Sequence, residues 1–265
     1  MNRTLRSRET ERHTDSRTGD HILGTFIDAV SMEDVIGRIT HWAQKRESRS
    51  VCICNVHSIV TAERDDAFGR ALNSADLATP DGAPIAWALR RSGFPGQKRV
   101  CGPDITWEYL HIAERRGHTV FFYGSTDAIL AKLKRVLVRS FPGLKIGGMV
   151  SPPFRALSDA EDAAYVRQMN ASGANVVFVG LGCPKQELWT AAHRGRVNAV
   201  MVGVGAAFEF HAGTIRRAPQ WMGRIGLEWF YRLVSEPRRL WERYLVTNTL
   251  FVLGMLRERF IPIQH

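Results

Sequence analysis

The chain lacks most of the short motifs by which common nucleotide-using enzymes declare themselves. It has no G-x-x-x-x-G-K-[ST] loop, which argues against P-loop nucleotide hydrolysis. It has no Asp-x-Asp of the kind that holds a divalent ion in many sugar-nucleotide enzymes, and no G-x-S-x-G nucleophile elbow. Cysteine is scarce, four in 265 residues, with no Cys-x-x-Cys pair and no metal-type His/Cys spacing. Cys52 and Cys54 lie two apart in a strand-like run and face the same side, so they do not bridge, and reduced thiols are expected. Long apolar runs are also missing. The longest, 245–256, is interrupted by Thr247, Asn248 and Thr249 and falls short of the ~20 residues a spanning helix needs. Residues 1–20 are polar, without the apolar centre of a signal peptide, and read as a disordered tail.

What is present is an ordinary globular composition, 45% apolar and 23% charged, with an unusual net charge of +10. Such a surplus suits an acidic partner: nucleic acid, an anionic membrane surface or a phosphorylated substrate. Half of it sits at the end of the chain. Residues 216–265 hold nine arginines against four glutamates, interleaved with Trp221, Trp229, Phe230, Tyr231, Trp241, Tyr244 and Phe251. Basic helices with aromatic faces suit a membrane interface, and equally a helical pair packed on the core with a solvated Arg face.

Between these ends, strand and helix signals alternate. Strands are expected at 51–55, 76–79, 119–123, 145–149, 175–180 and 198–203. Helices are expected after Ser31, which can cap with Asp34 at its third position, and at 58–72, 84–91, 104–116, 128–140 and 159–172. Alternation of this kind predicts an α/β fold: a Rossmann-like, mostly parallel sheet with helices on both faces, plus a C-terminal basic helical appendage. The expected divisions are a tail at 1–20, a core at 21–215 with a soft boundary near Gly117, and the appendage at 216–265.

Candidate ligand contacts gather at the strand ends. Gly180-Leu181-Gly182-Cys183-Pro184 and Gly203-Val204-Gly205 are glycine turns that let backbone approach a phosphorylated ligand, with Gln186, Glu187 and Glu209 on the helices that follow. Gly124 ends the strand before them. These turns lack the third glycine and the later acidic residue of a dinucleotide fingerprint, which counts against a nicotinamide-dependent oxidoreductase. Asn55 and His57 follow the first central strand, and Thr79, Asp81 and Gly82 follow the next. Asp81 suits both a helix N-cap and a general base, and spacing alone favours the cap. Arg99 can neutralise a departing phosphate, while Gly102 and Asp104 open a helix.

Seven of these segments occur in one order: Asn55-Val56-His57-Ser58, ADLATPDG at 75–82, RVCGPD at 99–104, FVGLGCPKQE at 178–187, GVGAAFEFHAG at 203–213, RAPxWM at 217–222 and GLEWxYRL at 226–233. Together they resemble the WecG/TagA/CpsF glycosyltransferases from about Ile22 onward. The resemblance implies an inverting, metal-independent hexosyltransferase without a cofactor. It would move N-acetylmannosamine, its uronic acid or glucose from a UDP-sugar to an undecaprenyl-diphosphate-linked saccharide in surface-polysaccharide synthesis. It turns Asp81 from cap into general base and puts Arg99 and Gln186 at the diphosphate. It also implies a peripheral protein on the inner face of the cytoplasmic membrane, docked through Arg217, Arg224, Arg232, Arg238, Arg239 and Arg243, and is compatible with homo-oligomers. Glu209 departs from the pattern, where Asp is usual, and so does Ala83-Pro84 after Asp-Gly. A basic nucleic-acid-binding protein, the non-enzymatic rival, would show salt-sensitive duplex or single-strand binding tighter than its affinity for UDP.

Overall fold

The structure is a computed structural model describing residues 17–260 apart from residue 225, with backbone alone at 220, 224, 239, 259 and 260. The tail expected at 1–20 lies outside it over residues 1–16. From Gly19 the chain is ordered differently from that expectation. Gly19–Ile22 (β1) and Thr25–Asp28 (β2) form an antiparallel hairpin. The fully buried Asp28 explains it: its carboxylate takes Arg17 at 2.7 Å and the Ala78 amide at 2.7 Å, tying the hairpin to the core. A buried carboxylate persists only with such partners.

Six strands make one parallel sheet: Arg49–Cys54 (β3), Leu77–Pro80 (β4), Thr119–Gly124 (β5), Lys145–Val150 (β6), Val176–Gly180 (β7) and Val200–Gly203 (β8). Their order is β4-β3-β8-β7-β5-β6, every neighbouring pair parallel. Gly117, where the sequence suggests a soft boundary, ends a helix in the left-handed region (φ 66°). The sheet spans both halves, because β8 returns to pair with β3 and joins them.

Side chains alternate across the sheet, as its period of two requires. Val51, Ile53, Phe122, Phe178 and Val202 face one way. There they meet Met32–Gln44 (α1) through Val35 and Ile39, and two later helices through Tyr109 and Leu133. Cys52, Cys54 and Ala78 face the other way, under Val56–Arg64 (α2) and Asp66–Asn73 (α3). The sequence suggested one helix over 58–72. Asp65 divides it by leaving helical geometry (φ −128°, ψ 102°) and accepting the Phe68 amide at 3.0 Å, so capping wins over a continuous apolar pattern.

The remaining helices are Ala83–Arg91 (α4), Gly102–Arg116 (α5), Asp127–Ser140 (α6), Asp159–Ala171 (α7), Lys185–His193 (α8) and Ala207–His211 (α9). After α9 come Gln220–Arg224 (α10), Glu228–Ser235 (α11) and Pro237–Phe260 (α12), and no further strand among the described residues. The last helix folds back onto the core, burying Leu240, Thr247 and Phe251. No helix among the described residues is long and apolar enough to cross a membrane.

Candidate active site

All six parallel strands point their carboxyl ends toward one edge, where open α/β sheets bind ligands. The candidate residues collect there around two cavities. The first, about 440 Å³, is lined by Asn55, His57, Asp81, Gly82 and Arg99 from the core. Glu228, Trp229, Arg232, Arg243, Tyr244, Phe251 and Val252 close it from the appendage. The second, about 430 Å³, is lined by Gly180, Gly182, Gly205 and Glu209, with Tyr123, Ser125, Phe154, Lys185 and Trp189.

In the first cavity Asp81 follows the short buried strand β4, its amide tied to the Cys54 carbonyl at 2.8 Å. Burial pushes its carboxyl up to about 6; Arg99 and Arg232 act against the rise and Glu228 adds to it. A carboxyl poised there can hold or release a proton near neutral pH. Arg99, on the loop before α5, is ion-paired to Glu228 of α11. Asn55 caps α2, exchanging hydrogen bonds with Ser58. His57 is held down to about 4, mainly by burial and then by Arg243, so its ring is neutral.

The second cavity is shaped in part by close approaches of backbone. Gly124 has φ 125°, and a Cβ there would stand 2.4 Å from the Gly180 carbonyl oxygen, while a Cβ at Gly180 would stand 2.8 Å from the Phe208 ring. Ser125 holds φ 59°, a conformation costly for a non-glycine residue, and its hydroxyl donates to Glu209 Oε1 at 2.9 Å. Glu209 Oε2 is buried without a hydrogen-bond partner. Trp189 is stacked on His193 at 3.9 Å, and the His193 ring is fixed by the Trp189 carbonyl and Asp162.

Gln186 and Glu187 lie in the wall rather than in either cavity. Both are buried: Gln186 Nε2 donates to Glu187 Oε1 at 2.9 Å, while Gln186 Oε1 accepts the Gly205 amide at 3.0 Å. Gly203 is hemmed by the Gln186 side chain. Gln186 therefore fixes the β8 turn. Thr79 and Gly102 are packed beneath, Thr79 donating to the Val100 carbonyl and Gly102 against the Val204 carbonyl. Pro184 caps α8. Asp104 is held below the usual carboxylate range despite its burial, by hydrogen bonds from Arg217 and Cys101.

Of the six arginines expected to face a membrane, two line the first cavity and a third, Arg217, is exposed but paired. Arg217 pairs bidentately with Asp104, one bond being 2.8 Å. Arg232 and Arg243 line the first cavity, Arg232 also lying 5.5 Å over the Phe210 ring. Arg217 is thus held by a carboxylate and Arg232 by an aromatic face. Arg238 is exposed, and the side chains of Arg224 and Arg239 lie outside those described. The appendage also exposes apolar side chains: Trp221, Phe230, Val234, Trp241, Leu245, Leu253 and Leu256. Sequence reasoning missed Ser125, Trp189 and Glu228. The strand-end position of Ser125 and the Gly226-Leu227-Glu228-Trp229 segment were the signals available.

Known proteins match this arrangement along nearly the whole chain. The sequence profile of the Glycosyl transferase WecG/TagA/CpsF family matches residues 21–264. An N-acetylglucosaminyldiphosphoundecaprenol N-acetyl-beta-D-mannosaminyltransferase of Bacillus spizizenii strain W23 is 30% identical over 241 residues, 91% of each chain. Proteins of the same name from Bacillus subtilis strain 168 and Staphylococcus aureus strain MW2 are 30% and 27% identical, covering 82% and 83% of this chain and 83% and 85% of their own. With the ordered segments lying along one sheet edge and the profile spanning them all, the chain belongs to the WecG/TagA/CpsF family and is a glycosyltransferase.

Proposed function

We propose that the protein transfers a sugar from a UDP-sugar to a saccharide carried on undecaprenyl diphosphate, with inversion in a single displacement. The observation that carries this reading is the pairing, in one cavity, of a carboxyl raised to about 6 with a guanidinium beside it. The relatives' names supply the substrate class: they move N-acetylmannosamine to N-acetylglucosaminyl-diphosphoundecaprenol. N-acetylmannosamine is accordingly the first donor to test, with its uronic acid and glucose as alternatives.

In this reading the acceptor hydroxyl gives its proton to Asp81 as its oxygen attacks the anomeric carbon, and the bond to the UDP oxygen breaks. Arg99 meets the developing diphosphate charge together with backbone amides of the glycine turns, so the proposal assigns that charge to the protein rather than to a metal. The nucleoside occupies the second cavity, where Glu209 Oε2 has an open acceptor position for a ribose hydroxyl and Trp189 offers an aromatic wall. Gln186 contributes by holding the Gly205 turn. The exposed apolar stripe of α11 and α12, rimmed by arginines, rests on the inner leaflet beside the acceptor's lipid.

A UDP-release assay over UDP-N-acetylmannosamine, its uronic acid and UDP-glucose, with undecaprenyl-diphosphate-N-acetylglucosamine as acceptor, tests the reading. Acceptor-dependent release with at least one donor is expected. Release with none, or equal release without acceptor, contradicts it.

A further inference from the structure

The Arg99–Glu228 ion pair sits where the reaction proposed above needs a free cation. Among the described residues lining the first cavity, Arg99 is the only arginine or lysine supplied by the core; Arg232 and Arg243 come from the appendage. Yet Arg99 Nη1 is engaged by the Glu228 carboxylate, and Gly223 stands against the same guanidinium, a Cβ there lying 3.2 Å from it. The partners are roughly three-quarters buried, their side chains 25% and 19% exposed, so the pair is neither deeply desolvated nor free in water. The helix carrying Glu228 has no buried residue: Leu227, Trp229, Phe230 and Val234 beside and along it are all exposed. A helix with so little apolar anchorage belongs to the low-stability end of a fold, and single polar ties count for much in holding it. Other contacts remain when that pair is broken: Arg217 with Asp104 ahead of the helix, Arg232 over the Phe210 ring, and Trp229 edge-on to Tyr244 of α12.

We propose that Glu228 is a displaceable counter-ion, holding Arg99 in the unliganded protein until an incoming diphosphate takes the guanidinium and releases α11 from the core. The inference rests on the reading that a diphosphate reaches Arg99. A diphosphate offers more charge and more acceptor oxygens to the planar guanidinium fork than one carboxylate does, so the exchange runs in its favour. Arg217–Asp104 then acts as the pivot, and Arg232, one turn along α11, moves with the helix. Loss of Glu228 from the cavity also removes a like charge from beside Asp81, whose other charged or titratable neighbours are Arg99, Arg232 and Cys101, with His57, Arg243 and Tyr244 lining the same space. Glu228 is thus a positioning residue that works through Arg99.

The test titrates inorganic pyrophosphate by calorimetry at low salt into the full-length wild type, Glu228→Gln and Arg99→Gln. Glu228→Gln removes the competitor and should bind pyrophosphate roughly three- to tenfold more tightly, the scale of a partly buried ion pair, whereas Arg99→Gln should lose binding. A merely structural clamp predicts the reverse for Glu228→Gln, weaker binding. Limited proteolysis of the wild type supplies a second arm that needs no variant: pyrophosphate should speed cleavage within residues 214–236. Equal or weaker pyrophosphate affinity in Glu228→Gln, retained binding in Arg99→Gln, or a cleavage rate unchanged by pyrophosphate each overturns the proposal. Neither arm uses a sugar donor. A failed donor screen with pyrophosphate exchange intact therefore counts against the transfer reading and not against the counter-ion.

Discussion

The two cavities at the carboxyl edge are nearly equal in volume and opposite in construction. The glycine-turn cavity is built from the ends of β5, β7 and β8 and the segments following β5, β6, β7 and β8, with close backbone approaches of Gly124 to Gly180 and of Gly205 to Gln186. The Asp81 cavity is built from charges that arrive from far apart in the chain, Asp81 and Arg99 from the core and Glu228, Arg232 and Arg243 from the appendage. The difference separates two tasks. A fixed backbone cradle suits a constant ligand part such as a nucleotide, and an assembled charged pocket with a movable wall suits the chemistry and the larger acceptor.

Five substitutions or conditions sharpen or break that division. The largest expected effect is on turnover: Asp81→Asn should lower the transfer rate by about 10²- to 10⁴-fold, as loss of a general base does, and a near-normal rate would remove Asp81 from that role. On the other side, Gly124→Val forces a side chain into the Gly180 carbonyl at a positive φ. It should weaken UDP binding by more than roughly tenfold and cost about 1–3 kcal/mol in chemical denaturation. Unchanged UDP affinity there would mean that the nucleotide does not use this cavity.

The pH profile comes next. Asp81 acts when ionised, and its carboxyl is raised to about 6, so the transfer rate should level off above that value and fall about tenfold per unit below it. A plateau extending down to the ordinary carboxylate range would show that the base lies elsewhere. For the membrane face, Trp241→Glu with Leu245→Glu changes exposed residues and should reduce co-sedimentation with anionic vesicles roughly tenfold without lowering stability. Equal sedimentation would return α12 to a purely structural part. The smallest effect is expected from Asp104→Asn, which breaks a half-exposed ion pair to Arg217 and should cost about 1 kcal/mol or less of stability.

The same contrast explains what the sequence made legible. Alternating strand and helix signals and the glycine turns were readable because glycine reports a backbone demand through its identity alone. The α/β fold and the second cavity follow from that. The helix break at Asp65 was not, since an apolar period and an N-cap signal overlapped and only the folded geometry shows which prevailed. Nor was Glu228 marked as a site residue: its partner Arg99 lies 129 positions away, and ion pairs at that separation leave no local pattern. The pairing of Arg217 with Asp104 and the placement of Arg232 and Arg243 in the cavity wall were hidden for the same reason. Charge counts describe a segment, not the direction in which its side chains point.

The central claim is that nucleotide binding and proton removal belong to different cavities. It is tested most directly by the dissociation constant for UDP in Asp81→Asn beside the wild type. The account predicts values within about twofold, or tighter in the variant because a negative charge near the diphosphate is gone, while transfer is lost. A UDP affinity that falls in step with the transfer rate would contradict it.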